Sequence, residues 1–458
     1  MARKIVIIGC GASGGTAAQF ARKTDREAEI TIIERGKYPQ YSKCGLPYAI
    51  SGTIPSFGSL VEFSQEWFEK NRIKVLLETE VKSIDAKAKA VEIVGAGGAS
   101  RLEYDSIIIA TGANPAMPRI DGATANGKLK EGVNFLRTID DGKAIAEGAK
   151  QGKNAVIIGA GLIGLEAAES LVHMGMEVTV VEFLRSLLPG MIDADMADII
   201  YEQMQGKVRM MLNSAVTKIL GETRAEGVVV KDNETGAETQ LPADIVILAT
   251  GNRAVTELAA AAGCEIGATR QIKANEKSET SAPSIYAAGD CTEYIDFVTN
   301  QPIPVGLGSV GVRQAIAAGV NAAGGNAAVG KILATRTTHL FGLEIAAAGP
   351  TQAALEKAGI KAIAGKFRGS SLPHYFPGGK PVNVKVLCDE GGRILGAQIV
   401  GDGAALRANT FAAAILKGMT VDEFSMMETA YAPPVAPTLD PMVLGAEACR
   451  MRLRRRES

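Results

Sequence analysis

One phrase occurs twice in this chain, and it narrows the possible folds more than any other feature. Ile5-Val6-Ile7-Ile8 runs into Gly9-Cys10-Gly11-Ala12-Ser13-Gly14, and a second apolar run, Ile30-Thr31-Ile32-Ile33, ends in Glu34. About 150 residues further on, Ala155-Val156-Ile157-Ile158 runs into Gly159-Ala160-Gly161-Leu162-Ile163-Gly164, and Val178-Thr179-Val180-Val181 ends in Glu182. Each copy reads as strand, glycine turn, helix, strand and terminal acid. The first glycine allows a tight turn, the second lets backbone approach a pyrophosphate, and the third lets the helix pack on the strand. The helix N-terminus then faces the phosphates. Glu34 lies 20 residues past Gly14 and Glu182 lies 18 past Gly164, the place of a carboxylate that hydrogen-bonds ribose hydroxyls.

A second phrase repeats as well. Ile107-Ile108-Ile109-Ala110-Thr111-Gly112 and Ile245-Val246-Ile247-Leu248-Ala249-Thr250-Gly251 are buried strands ending in Ala-Thr-Gly, each roughly 90–100 residues past its glycine loop. Two dinucleotide units imply two dinucleotides, and a flavin with a nicotinamide is the pair that moves a hydride. Ser284-Ile285-Tyr286-Ala287-Ala288-Gly289-Asp290 is a further strand after the second unit, where the chain is expected to return and complete the first. Asp290 reads equally as an acceptor for a sugar-alcohol chain and as a helix N-cap.

Composition excludes several alternatives. A length of 458 residues implies two or three domains. With 49 basic against 50 acidic residues, nothing points to nucleic acid, and the basic segment Arg450–Arg456 reads as a solvated end. Arg3-Lys4 and the short run after them break into glycines too soon for a signal peptide, and no apolar stretch is long enough for a membrane span. Six scattered cysteines without a CxxC pair are no disulfide framework and point to a reducing cytoplasm. Three distant histidines make a zinc site improbable.

The two glycine loops with Glu34, the two Ala-Thr-Gly strands and Tyr286-Ala287-Ala288-Gly289-Asp290 together resemble the two-dinucleotide flavoprotein disulfide reductases over essentially the whole chain. The resemblance implies an α/β fold of two Rossmann-like dinucleotide-binding domains plus a C-terminal α+β dimerisation domain. FAD is then expected on residues 1–120 and 253–325, NAD(P)H on 121–252, and a homodimer interface on 330–458. The implied cofactor contacts of the first unit are Gly9, Gly11, Ala12, Ser13, Gly14, Glu34, Arg35, Val81, Ala110, Thr111, Gly112, Gly289 and Asp290. Those of the second are Gly159, Gly161, Leu162, Ile163, Gly164, Glu182 and Gly251. Glu182 favours NADH over NADPH, although Arg185 nearby complicates that preference.

The branch follows from the cysteines. Tyr41-Ser42-Lys43-Cys44-Gly45-Leu46-Pro47-Tyr48 holds one cysteine where glutathione and lipoamide reductases carry CxxxxC, and no histidine follows His374. This is similar to the single-cysteine branch of coenzyme A disulfide reductases, NADH oxidases, NADH peroxidases and sulfur or polysulfide reductases. Ala12 stands where the oxidases and peroxidases have a histidine, which favours disulfide reduction. The resemblance makes Cys44, Tyr375 and Tyr431 catalytic, with both tyrosines reaching Cys44 from the partner subunit. Gln19, Arg22, Ser42 and Lys43 become substrate contacts, whereas Leu439 and Val312 replace a lysine and a histidine of the family. The resemblance implies a coenzyme A disulfide-like substrate, and the lost cationic contacts, which weaken the hold on a nucleotide's phosphates, point to a smaller or different disulfide, a persulfide or a polysulfide. An oxidase cycling a sulfenic acid and an electron-transfer subunit are the alternatives. A helix starting at Cys44, with Pro47 in its first turn and Lys43 beside it, is expected to lower the thiol's pKa. Cys10 and Cys291 read as small fillers, and Glu166 equally as a nicotinamide contact or a helix-surface residue.

Overall fold

The two repeated phrases fold into two parallel five-stranded sheets of one plan. In the computed structural model, which describes residues 2–304 and 306–457, the first sheet runs Ile285–Ala287, Ser106–Ile109, Lys4–Ile8, Glu29–Ile33, Ile73–Leu76. The second runs Val133–Asn134, Ile245–Leu248, Asn154–Ile158, Glu177–Val181, Arg209–Met211. Their registers match: Lys4 faces Glu29 in one and Asn154 faces Glu177 in the other.

The strands are continuous apolar runs because both faces of each sheet are covered. Ile5, Ile7, Ile30 and Ile32 pack under the helices Ala12–Thr24 and Gly308–Ala322, against Ala17, Ala18, Ala315 and Ala318. Those helices approach so closely that a Cβ on Gly319 would lie 2.2 Å from the Ala17 carbonyl oxygen. Val6, Ile8, Ile107 and Ile109 point the other way, onto Val81, Ile84, Val91 and Ile93 of the antiparallel meander Glu80–Glu103. The second sheet repeats the pattern, with Ile157, Val180 and Ile247 under helices and Val156, Ile158 and Val246 on the meander Ser214–Pro242. Each fully buried Ile contributes about 1.5–3 kcal/mol relative to exposure. Each meander sits between a unit's third strand and its Ala-Thr-Gly strand, which accounts for the long spacing between the two phrases.

The chain after Ala334 forms an antiparallel sheet ordered Arg336–Leu340, Leu343–Ala348, Ile394–Gly401, Pro381–Cys388, Ile363–Ser370. The helices Ala404–Lys417 and Pro441–Glu457 cover one face of it through Phe411, Ala414, Ala446 and Cys449. The basic segment is therefore not a solvated end, as the sequence suggested. It is the last turns of a helix, with Leu453 buried in the core, Arg450 paired with Glu447 and Arg454 with Asp422; the side chain of Arg456 lies outside the described residues. A leucine and a cysteine at helical spacing outweigh the solvation of the arginines, of which Arg450 and Arg454 reach carboxylates and Arg452 the Ala364 carbonyl.

Polar contacts lock this third region onto the second unit. Lys385 Nζ, nearly buried, pairs with Asp193 at 2.8 Å and Asp195 at 2.9 Å, and Gln398 holds Asp193 by two hydrogen bonds. Glu166 Oε1 accepts from Thr338 Oγ1 at 2.8 Å, and Glu169 Oε1 accepts from the Phe341 amide at 2.7 Å. Among the described residues no helix is long and apolar enough to cross a membrane.

Candidate active site

The three glycines of each loop divide their labour as dinucleotide binding requires. Gly9 adopts φ +102°, and a Cβ there would meet the Ala110 carbonyl oxygen at 2.4 Å; one on Gly14 would meet Gly9 O at 1.8 Å. Around Gly11 a Cβ would find open space. The second loop matches: 2.4 Å for Gly159, 2.0 Å for Gly164, and open space beside Gly161. Only the middle glycine is spared by the protein itself, which fits the room that a phosphate needs at the helix N-terminus. Ala12 and Ser13 begin the first helix, and Leu162 and the exposed Ile163 begin the second.

The two acids are wired alike. Glu34 accepts from the amides of Cys10 at 2.7 Å and Gly36 at 2.7 Å; Glu182 accepts from Ala160 at 2.7 Å and Leu184 at 2.8 Å. Each carboxylate thus braces its glycine loop while keeping lone pairs for ribose hydroxyls. Arg185 pairs with Glu234 at 3.0 Å.

Past each Ala-Thr-Gly the units clasp one another, Ala113–Pro115 pairing with Asn252–Ala254. The threonines serve this clasp: Thr111 Oγ1 donates to Val255 O at 2.7 Å and Thr250 Oγ1 to Ala116 O at 3.1 Å. The motif's hydroxyls are structural, and Gly112 and Gly251, both at positive φ, make the turn. The Val81 side chain is buried under the sheet, so only its backbone is left for a ligand, and Arg35 reaches Asn114 Oδ1 at 2.9 Å. Ala110, nearly buried, ends the strand beneath.

The strand Ile285–Ala287 pairs with Ser106–Ile109 and delivers Gly289 and Asp290 to the same edge as the first loop; a Cβ on Gly289 would meet Ser13 Oγ at 2.4 Å. Asp290 caps no helix. Its carboxylate faces Arg137 at 3.5 Å, and its carbonyl accepts from Gln271 at 2.9 Å. A cavity of about 680 Å³ lies alongside, lined by Ala113, Arg253, Gln271 and Asp290 among others.

Cys44 sits in a single 3-10 turn, Lys43–Gly45, that leads into the short helix Leu46–Ile50 with Pro47 in its first turn. Gly45 is needed there, since a Cβ would lie 2.4 Å from Leu60. Cys44 is exposed while the other five cysteines are buried. Its thiol is not poised as the sequence suggested. Loss of water, then the Glu166 and Asp290 carboxylates, push its pKa up, and Arg137 opposes them. One short turn supplies too little dipole to outweigh desolvation and two carboxylates. Lys43 is reachable by water yet crowded by protein atoms. That desolvation and the Arg137 charge lower its pKa to about 8. Cys10 and Cys291 are buried fillers, and burial with the Glu34 charge raises Cys10 to about 12.

Of the expected substrate contacts, Ser42 adjoins Cys44 and Gln19 lies half-buried on the Ala12–Thr24 helix. Arg22 is committed elsewhere: its guanidinium donates to the carbonyls of Asp25, Arg26, Asn71 and Arg72. Tyr375 and Tyr431, 56 residues apart, meet at 2.6 Å between hydroxyls on the exposed face of the third region. That hydrogen bond raises the pKa of Tyr375. Two residues near Cys44 escaped the sequence reading. Tyr48 follows Cys44 by four residues and feels the charges of Glu166, Glu169 and Cys44. Arg137 precedes the capping Thr138 of the helix Ile139–Gln151 and carries no motif of its own.

Comparison with known proteins decides the family. Residues 3–322 match the family model described as pyridine nucleotide-disulphide oxidoreductase, and residues 335–443 match its dimerisation domain. The chain belongs to the pyridine nucleotide-disulphide oxidoreductases. It is 36% identical to an NADH oxidase of Methanocaldococcus jannaschii over 98% of this chain and 99% of that one. It is 34% identical to an NAD(P)H coenzyme A polysulfide/persulfide reductase of Pyrococcus horikoshii, again over 98% and 99%. The structure of an NAD-dependent persulfide reductase from A. fulgidus superposes with a TM-score of 0.93 at 36% identity, covering 99% of this chain and 83% of that one. As a member of this family the protein is a flavin disulfide-type oxidoreductase that uses FAD and NAD(P)H, and the open space at Gly11 and Gly161 with the two braced acids fits both nucleotides.

Proposed function

We propose that this oxidoreductase passes electrons from NADH to a low-molecular-weight disulfide, persulfide or polysulfide through Cys44. Residues 1–120 and 253–325 hold FAD, 121–252 hold the nicotinamide nucleotide, and 330–458 pair two copies. The observation that carries this reading is the placement of the one exposed thiol: Cys44 lies where the charges of Asp290 from the first unit and Glu166 from the second converge. FAD, when bound, supplies the two-electron carrier between nicotinamide and sulfur. The chain's own contribution is to hold the sulfur and manage protons. The Cys44 thiolate attacks the S–S bond of the substrate, forming a mixed disulfide with one sulfur and releasing the other as a thiolate, and Arg137 offsets the carboxylates that disfavour the Cys44 thiolate. Tyr375 of the partner subunit, hydrogen-bonded to Tyr431 and so held protonated, gives its proton to the released thiolate.

Glu182 favours an unphosphorylated ribose, and the pairing of Arg185 with Glu234 leaves that preference standing. With Arg22 bound to carbonyls, and Leu439 and Val312 in place of family polar groups, the site offers little to a nucleotide's phosphates. This favours small persulfides and polysulfides over coenzyme A disulfide. The relatives named polysulfide, persulfide and sulfur reductases support a sulfur acceptor, and two of those names also carry coenzyme A, so the coenzyme A disulfide arm of the test stands beside the polysulfide arm.

The test is anaerobic NADH oxidation by the flavoprotein with polysulfide, with coenzyme A disulfide and with neither. Turnover is expected with the sulfur acceptor and is expected to vanish in Cys44→Ser, which keeps its flavin. Undiminished turnover in that variant overturns the relay. Fast NADH consumption with oxygen alone, lost with the same substitution, makes the chain instead an oxidase cycling a Cys44 sulfenic acid, and its M. jannaschii relative is named an NADH oxidase.

A further inference from the structure

The third region holds a pair of sulfurs that the reaction does not use. Cys388 ends the strand Pro381–Cys388, and Cys449 lies in the helix Pro441–Glu457, 61 residues later. Both are fully buried, and their Sγ atoms stand 3.2 Å apart, only about 1.2 Å more than a disulfide bond. The backbones that carry them are fixed. Cys449 Sγ donates to the Ile363 carbonyl at 3.2 Å, and Ile363 is the residue facing Cys388 across the neighbouring strand. The helix rests directly on that strand: a Cβ on Gly365 would lie 2.1 Å from the Cys449 amide nitrogen, and one on Gly445 would lie 2.9 Å from Val384. The two sulfurs therefore cannot drift apart without lifting the helix.

We propose that Cys388 and Cys449 form a modification site, a buried dithiol that a hydroperoxide converts to a disulfide stapling the C-terminal helix to the dimerisation-domain sheet. The Cys388 hydrogen bond and, more weakly, the charge of Arg452 lower the Cys449 pKa, which makes it the attacking sulfur. Its thiolate takes the terminal oxygen of the hydroperoxide as the O–O bond breaks, giving a sulfenic acid and an alcohol, or water from hydrogen peroxide. The Cys388 thiol then attacks that sulfur, the S–S bond forms and water leaves. Two thiols and one hydroperoxide yield one disulfide, one alcohol and one water, with two electrons passing from sulfur to oxygen. Because neither sulfur touches solvent, the step proceeds through local opening of the helix. The bond encloses the strand Ile394–Gly401 and the helix Ala404–Lys417, and so restricts the unfolded chain.

The experiment treats the holoenzyme with hydrogen peroxide, denatures it in an alkylating reagent and maps the peptides by mass spectrometry. Two of the six thiols should be lost to a Cys388–Cys449 cross-link that dithiothreitol reverses, and the unfolding temperature should rise by several degrees. The rise should disappear in Cys388→Ser and persist in Cys44→Ser, so the proposal stands or falls apart from the Cys44 relay. Quantitative alkylation of both cysteines after peroxide overturns it, as does irreversible oxidation of either without a cross-link.

Discussion

In the first dinucleotide unit the strand beside Ser106–Ile109 is Ile285–Ala287, which arrives from beyond the second unit and delivers Gly289 and Asp290. In the second unit the same place, beside Ile245–Leu248, is held by Val133–Asn134, which precedes its glycine loop and brings no acid. The connection after the second strand differs as well. After Glu34 it carries Lys43 and Cys44; after Glu182 it exposes Phe183 and Leu184 and ends in Asp193, which ties the unit to the C-terminal sheet. What repeats is the machinery for a dinucleotide's phosphates and ribose, down to the two hydrogen bonds made by each glutamate. What does not repeat decides which nucleotide meets the sulfur.

The largest effects should come from blocking each third glycine. Gly14→Ala drives a methyl against Gly9 O and Gly164→Ala one against Gly159 O, so both strain their loops by about 1–3 kcal/mol or more. If the units are divided as proposed, Gly14→Ala purifies with little or no flavin. Gly164→Ala stays yellow, but its flavin is reduced by NADH with a KM at least tenfold higher. Flavin content and stopped-flow reduction read the two apart, and flavin loss from the second-unit variant would reverse the assignment. A smaller contrast separates the glutamates. Glu182→Gln removes one charge-assisted acceptor from two amides, that of Ala160 being buried, costing roughly tenfold in NADH affinity and narrowing the NADH-to-NADPH ratio. Glu34→Gln should weaken flavin retention and leave that ratio alone. A ratio that moves with Glu34 instead would show that the wiring, not the ribose contact, sets the preference.

Most of the first contrast is legible in the chain. The glycine loops, the acids and the Ala-Thr-Gly ends are short-range signals, and a buried parallel strand is a plain apolar run that one can read directly. The return of Ile285–Ala287 to the first sheet is foreshadowed by the Gly-Asp at its end. The two meanders are not, because alternating half-buried strands such as Glu80–Asp85 carry no motif. The site's electrostatics were hidden for a different reason. Arg137 lies just ahead of the helix Ile139–Gln151, Glu166 lies within the helix Leu162–His173, and both act on a cysteine more than 90 residues away, so no local spacing announces them. Arg22 shows the opposite failure: its position matches the family's substrate contact, yet four backbone carbonyls claim its guanidinium.

The finest contrast concerns which unit sets the reactivity of Cys44. Burial and the Glu166 and Asp290 carboxylates raise its pKa, and Arg137 lowers it, so at neutral pH the thiolate is scarcer than for an ordinary cysteine. Thiolate alkylation should therefore climb with pH and reach its plateau above the usual cysteine range near 8.5. Glu166→Gln removes a negative charge from the second unit while keeping an acceptor for Thr338, so the midpoint should fall and neutral-pH labelling by iodoacetamide should rise, roughly threefold to tenfold. Arg137→Ala removes the opposing charge and also leaves Asp290 unpaired, so its midpoint should rise and labelling should slow. Labelling profiles of the flavin-bound enzyme from pH 6 to 10, with peptide mapping to Cys44, distinguish these outcomes. If Glu166→Gln leaves the midpoint unchanged while Arg137→Ala raises it, Asp290 of the first unit governs the thiol alone. If both move it in the stated directions, the second unit, besides its nicotinamide role, tunes the sulfur carried by the first.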